Sequence, residues 1–284
     1  METLAVRTLA DGLTFGEGPR WHDGKLWISD MHGHRIVTCD MDGSLEEIQR
    51  VENRPSGLGW LPDGRLLFVS MLDAKLCVSS DGKTETYADL APYCAGEPND
   101  MVVDSQGRAY VGNFGYDLVG GEDMKPADLV LVGTDQKSNV VASDLLYTNG
   151  IVITPDNRTL IIAETFGNRL TAFDIDPASG ALSGRRVFAD MGERTPDGIC
   201  LDVEGCVWAS CFVNGEYVRV RDGGEITHQI DVGDHAAVAC MQGGPDGRTL
   251  FMQTSDTDVE RLATGDSKCR VDVAEAPAPA AGLP

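Results

Sequence analysis

The stretch Leu61–Ser70, LPDGRLLFVS, carries the reading that decides the fold. Its Asp-Gly pair favours the positive φ of a tight hairpin turn. Behind it, Leu66, Leu67, Phe68 and Val69 form a short run of β-formers. The same phrase returns as WHDGKLWIS (21–29), DSQGRAYVG (104–112), TPDNRTLIIA (154–163), DVEGCVWAS (202–210) and GPDGRTLFMQ (244–253). The turn residues Gly24, Gly64, Gly107, Asn157, Gly205 and Gly247 are spaced by 40, 43, 50, 48 and 42 residues. A period of that size is one propeller blade. Each turn is preceded by a second apolar run, such as Met101-Val102-Val103. Further strand-like segments, RIVTCDMDG (35–43) and RLTAFDIDP (169–177) among them, fill the remainder. Four strands per unit and six units predict an all-β, six-bladed β-propeller. No stretch keeps a helical period, so an α/β fold is the weaker alternative. The segment TLAVRTLA (3–10) is expected to close the ring by completing the last blade. Residues 1–284 are read as a single domain, with 273–284 as an Ala/Pro-rich surface tail.

The composition suits such a fold: 42% hydrophobic residues for a core and 33 glycines for turns. A formal net charge of −22 argues against nucleic acid and anionic membrane surfaces as partners. The N-terminus METLAVRTLADG has no basic segment followed by an apolar one, and no apolar run approaches a membrane span. A cytoplasmic location is expected. The eight cysteines form no CxxC pair and no zinc spacing with histidine. Reduced, buried thiols are the expectation, with one disulfide as the alternative.

Equivalent positions in a propeller lie at one height around the axis. Eight residues before each turn residue stand Ser56, Asn99, Asn149, Asp197 and Ala239, and seven before Gly24 stands Glu17. They open the innermost strands, where an isolated carboxylate is costly unless a cation or hydrogen bonds compensate it. A lone Asp or Asn at a strand head is ordinarily a turn cap. Glu17, Asn99, Asn149 and Asp197 in register instead make a ring of oxygen donors. Without Cys or His, that ring suits a hard cation such as Ca²⁺, Mg²⁺ or Mn²⁺. Zn²⁺, which prefers N or S ligands, is a lesser alternative.

FGEGPRW, NRPSGLGWLPDGRL, EPNDMVVDSQGRAYVGN, TNGIVITPDNRTLIIAET and PDGICLDVEGCVWAS together resemble the senescence marker protein 30/gluconolactonase family of six-bladed propellers, from about Gly16 to Ser255. The resemblance implies one divalent cation, Ca²⁺ first among the candidates, held by Glu17, Asn149 and Asp197. It implies that Asn99 contacts substrate or completes the metal shell, and that Asp197 is the general base of a lactonase or related carboxylic ester hydrolase. The sugar lactonases of that family carry Arg two residues before the Asn of the third blade. Here that place is Glu97, which lacks the guanidinium fork for hydroxyls or carboxylates. A simple aldonolactone is therefore not the expected substrate.

The loops after each second strand return to the end where the ligand column lies. They carry Met31, Met71, Phe114, Tyr116, Phe166 and Phe212, with His32 and His34 nearby. An apolar rim with few polar groups describes a small-molecule site, for a lactone or ester with apolar parts. Residues 114–128 form the longest insertion and are a candidate lid. The expected substrate contacts are Asn99, Glu97, Asn149, Phe114, Tyr116, Phe166 and Phe212. The expected chemistry is hydrolysis by a metal-activated water, with Asp197 taking its proton. The chain has no G-x-S-x-G elbow. Two alternatives are a non-enzymatic, metal-stabilised ligand-binding propeller and a strictosidine-synthase-like lyase or condensing enzyme. A monomer or weak homo-oligomer is expected.

Overall fold

Gly24, Gly64, Gly107, Gly205 and Gly247 hold φ between +71° and +87°, and Asn157 holds +60°. Each of the six repeat phrases is thus a hairpin turn of the kind its Asp-Gly-like pair favours. The turns join the first and second strands of six antiparallel sheets in a computed structural model, which describes residues 2–80, 82–118 and 120–282. The first strands are Gly16–His22, Pro55–Trp60, Pro98–Val103, Thr148–Ile153, Pro196–Leu201 and Ala236–Gly243. Each touches the next, and the sixth touches the first, so they line a closed ring. Within each sheet strand order outward follows chain order, except that an N-terminal strand lies outermost in blades five and six. The protein is a six-bladed β-propeller.

The ring closes through the N-terminus. Strand Arg7–Leu13 pairs antiparallel with Lys268–Glu275 as the outermost strand of blade six. It starts a few residues later than TLAVRTLA implied. Ahead of it, Glu2–Thr3 adds in parallel to Ile226–Asp231, the outer strand of blade five.

The proposed boundary of the C-terminal tail is corrected. Residues 273–275 belong to a strand, and Ala276 and Ala278 beyond it are 1% and 2% exposed. Extended backbone turns alternate residues inward, so the Ala-Pro alternation buries alanines and leaves carbonyls as acceptors. Gln242 Nε2 donates to Ala278 O at 2.8 Å, Arg248 Nη1 to Pro277 O at 2.7 Å, and Val203 N to Pro279 O at 3.0 Å. The segment straps the turn end of blades five and six.

Core packing lies between blades. Ile36 of blade one meets Leu58 and Phe68 of blade two, and Trp21 stacks on Phe251 at 5.4 Å. The inner strands approach so closely that a Cβ on Gly57 would stand 2.4 Å from Met101 N, and one on Gly150 2.5 Å from Ile199 N. All eight cysteines are free thiols, seven of them buried. Among the described residues, no helix is long and apolar enough to cross a membrane.

Candidate functional site

The six strand-head residues are all buried: Glu17 7%, Ser56 1%, Asn99 1%, Asn149 5%, Asp197 5% and Ala239 1% exposed. In every blade the pairing register slips beside this position, between Glu17 and Arg20 in blade one and between Pro196 and Ile199 in blade five, for example. Such bulges re-aim side chains. A hydrogen-bond chain runs around the ring. Ser56 Oγ donates to Asn99 Oδ1 at 2.7 Å, Asn99 Nδ2 to Asn149 Oδ1 at 3.0 Å, Asn149 Nδ2 to Thr165 Oγ1 at 3.3 Å, and Thr165 Oγ1 to Pro196 O at 2.8 Å. The chain orients both amides. A carbonyl oxygen accepts two contacts, so Asn149 Oδ1 retains capacity for a cation.

Glu17 and Asp197 are not satisfied by that chain. Among the described residues, Asp197 Oδ1 is buried with no hydrogen-bond partner, and Glu17 accepts only from Gly18 N, at 3.3 Å. Burial pushes both carboxyls well above the usual carboxylate range. The charges of Asp197 and Asp100 add to the effect at Glu17; that of Asp100 adds to it at Asp197, against a smaller opposing contribution from the Asn149 amide.

Asp100 stands where blades one, two, four and five have Gly18, Gly57, Gly150 and Gly198. Its Oδ1 is 2.7 Å from Arg20 Nη2, and its Oδ2 accepts from Ile151 N at 3.2 Å. Arg20 also donates to Leu58 O and Pro19 O. Neither Arg20 nor Asp100 was singled out in the sequence, although Asp100 is the one charged residue in an otherwise small-residue register. Three carboxyl groups share this space with one guanidinium, a surplus of acidic groups that a divalent cation would complement. Among the described residues no three His, Cys, Asp or Glu side chains form a metal-holding group, so a cation here draws on amide oxygens as well. Orphaned carboxylate oxygen, paired amides and absence of N or S donors fit a hard ion.

The mouth above this ring is built by a second register. Two residues before the strand-head residues stand Phe15, Arg54, Glu97, Tyr147, Thr195 and Ala237. In five blades the first loop residue after the second strand donates its N–H to this carbonyl: Met31 to Phe15, Met71 to Arg54, Phe114 to Glu97, Thr165 to Tyr147 and Phe212 to Thr195. The loops therefore do return to the strand-head end.

Tyr147, missed in the sequence, organises one side. Its ring stacks on Phe114 at 4.3 Å and meets Phe166 edge-on at 4.7 Å and Tyr116 at 5.8 Å. Burial, then the nearby Asp197, pushes its phenol far up, so it is a neutral donor. Phe212 does not join this group; it tilts against Phe15 at 6.5 Å. Blade six offers only Ala237 and Ala239 at these positions, small enough for aromatics of blades five and one to meet over it. Met31 and Met71 are buried with Phe15 in the core beneath the loops. Glu97 is half-buried, its carboxyl raised by burial and held back by Arg54. His32 packs edge-on against Phe15, its imidazole pushed down to about 4 by burial and by Arg54. The 114–128 insertion is tied to itself by Asp117, which accepts from Gly120 N at 2.7 Å, and Tyr116 is 3% exposed.

A profile of the SMP-30/gluconolactonase/LRE-like region matches residues 15–256. The chain belongs to this family. Among SMP-30/gluconolactonase relatives, the pentonolactonase XacC of Haloferax volcanii is 25% identical, covering 95% of this chain and 94% of its own. The regucalcin of Danio rerio is 30% identical over 87% of this chain and 86% of its own. A calcium-binding protein, regucalcin, from Agrobacterium tumefaciens superposes with a TM-score of 0.79 at 20% identity, covering 98% of this chain and 97% of that one. In this SMP-30/gluconolactonase chain, Glu17, Asn99, Asn149 and Asp197 come together at one end of the pore. Above them stand Glu97 and the aromatic group around Tyr147.

Proposed function

We propose that the protein is a divalent-cation-dependent lactonase. The observation that carries this reading is Asp197 Oδ1: a buried carboxylate oxygen without a partner, at the pore mouth beside a second buried carboxylate, Glu17. The name pentonolactonase borne by one relative supports lactone opening, and the calcium-binding regucalcin supports Ca²⁺ as the ion.

Glu17, Asn149 and Asp197 would hold the cation, which would supply positive charge to polarise the substrate carbonyl and favour deprotonation of water. Asp197 keeps an oxygen free to accept a proton from the attacking water. Asn99, its amide fixed by Ser56 and Asn149, presents a polar group to substrate oxygen beside the reacting carbonyl. The Tyr147 phenol, kept neutral by burial, is a further donor. Tyr116, Phe114 and Phe166 exclude water and pack against the apolar part of the ring. The leaving alkoxide stays attached to the acyl part when a lactone opens, so no separate binding site for it is needed.

The test is a panel of aldonolactones, aliphatic and aromatic lactones and aryl esters, assayed after chelation and after return of Ca²⁺, Mn²⁺, Mg²⁺ or Zn²⁺. Turnover of lactones that disappears on chelation and returns with a cation supports the proposal. Absence of turnover in every combination overturns it.

A further inference from the structure

We propose that Arg54 is a specificity-determining residue that selects lactones bearing a carboxylate substituent; this rests on the lactonase reading above. Arg54 occupies in blade two the register position that Glu97 occupies in blade three, two residues before the strand head at Ser56. The guanidinium that Glu97 does not provide is thus supplied one blade earlier, over the same ring of donors.

Three observations set Arg54 apart. First, its Nε is buried with no hydrogen-bond partner, and among the described residues its guanidinium forms no ion pair. Basic side chains nearby in the fold are each paired: Arg35, Lys75 and Arg169, which open the third strands of blades one, two and four, with Asp30, Asp73 and Glu164, and Arg194, three residues before the strand head of blade five, with Glu216. Acidic residues outnumber basic ones by 45 to 23, so an unpaired guanidinium here runs against the composition. Second, Arg54 holds φ +59°, and Tyr147 in the same register holds φ +60°. Non-glycine residues rarely adopt this conformation, and it concentrates at functional sites. Both residues are so turned where the mouth needs a large side chain. Third, Arg54 lies between His32 of blade one and Glu97 of blade three, close enough to influence the charge of each.

A planar guanidinium accepts a carboxylate through two parallel N–H···O contacts. Among the described residues the half-buried Arg54 guanidinium makes no hydrogen bond or ion pair, which leaves it available for such a contact. Glu97 stands nearby without pairing to Arg54, and it disfavours an anion placed on its own side. The substrate's carboxylate therefore sits on the blade-two side of the mouth, with the lactone ring toward Tyr147 and Phe114 on blades three and four.

The experiment compares binding of 3-oxocyclopentane-1-carboxylate with that of cyclopentanone, cyclic ketones that resemble the lactone ring and are not hydrolysed. Calorimetric titration is made on the Ca²⁺-loaded protein, on Arg54→Gln and on Glu97→Gln. The wild type should prefer the carboxylate by at least about tenfold, Arg54→Gln should lose that preference, and Glu97→Gln should increase it. A wild-type protein with no preference, or an Arg54→Gln protein that keeps it, overturns the inference. If Arg54→Gln fails to fold, a Glu97→Gln preference unchanged or reduced does the same. Because no bond is cleaved, the result is independent of the lactone panel: binding preference without turnover retains the role of Arg54 and removes the lactonase.

Discussion

Arg20 Nη2 and Asp100 Oδ1, 80 residues apart in sequence, form a 2.7 Å ion pair inside the pore. The pair is nearly sealed, with side chains 5% and 9% exposed, and it lies against the pocket shared by Glu17 and Asn149. Removing one partner leaves an uncompensated buried charge. Arg20→Ala leaves Asp100 beside two further carboxylates, and we expect a loss of about 3–5 kcal/mol in urea unfolding. The double variant Arg20→Met/Asp100→Asn should lose less than Arg20→Ala alone. Equal or greater loss in the double variant contradicts the assignment.

The two strand-head carboxyls set a pH dependence. Both Glu17 and Asp197 are raised by burial relative to the unfolded chain. Their contribution to stability is therefore full below the ordinary carboxylate range and declines as pH rises through their higher folded values. Chelated protein should lose melting temperature from about pH 4 upward. Added Ca²⁺ should reverse the trend, with a gain that grows as pH rises, because the ion binds the deprotonated pair. Thermal scans across pH, with and without Ca²⁺, check this. A Ca²⁺ gain constant with pH contradicts it.

Asp197→Asn removes the proton acceptor while keeping shape. We expect kcat on the best lactone of the panel to fall by about 10²–10⁴-fold. The melting temperature of the chelated protein should not fall, since a buried charge has been removed. Near wild-type kcat in Asp197→Asn would show that the proton goes elsewhere.

Gly150→Ala puts a Cβ 2.5 Å from Ile199 N and 2.8 Å from Asp197 O. The neighbour is backbone, which cannot rotate away. Destabilisation of about 1–3 kcal/mol or more is expected, together with weaker cation binding because Asp197 is displaced. Urea titration and calorimetry on the same sample check both.

The fold was legible because a propeller repeats one phrase, and the turn chemistry of Asp63-Gly64 or Asp156-Asn157 survives in every copy. The same register exposed Glu17, Asn149 and Asp197, since polar residues opening apolar strands stand out. What lies one step to either side was not legible. Asp100 and Arg20 carry no pattern of their own in the sequence, and only ring closure turns them inward onto each other. Arg54 and Tyr147 gain meaning only from their positive φ and from the loops that hydrogen-bond to them. The tail was misjudged because Ala and Pro signal a loose segment by composition, while the carbonyls that bind it to Gln242 and Arg248 carry no sequence signature.

The most direct test of the account is an anomalous-difference map from crystals of the protein soaked in Mn²⁺. It predicts one strong peak on the pore axis, with oxygens of Glu17, Asn149 and Asp197 all within about 2.6 Å of it. A map without a peak there, or with the ion on other residues while those oxygens stay apart, contradicts it.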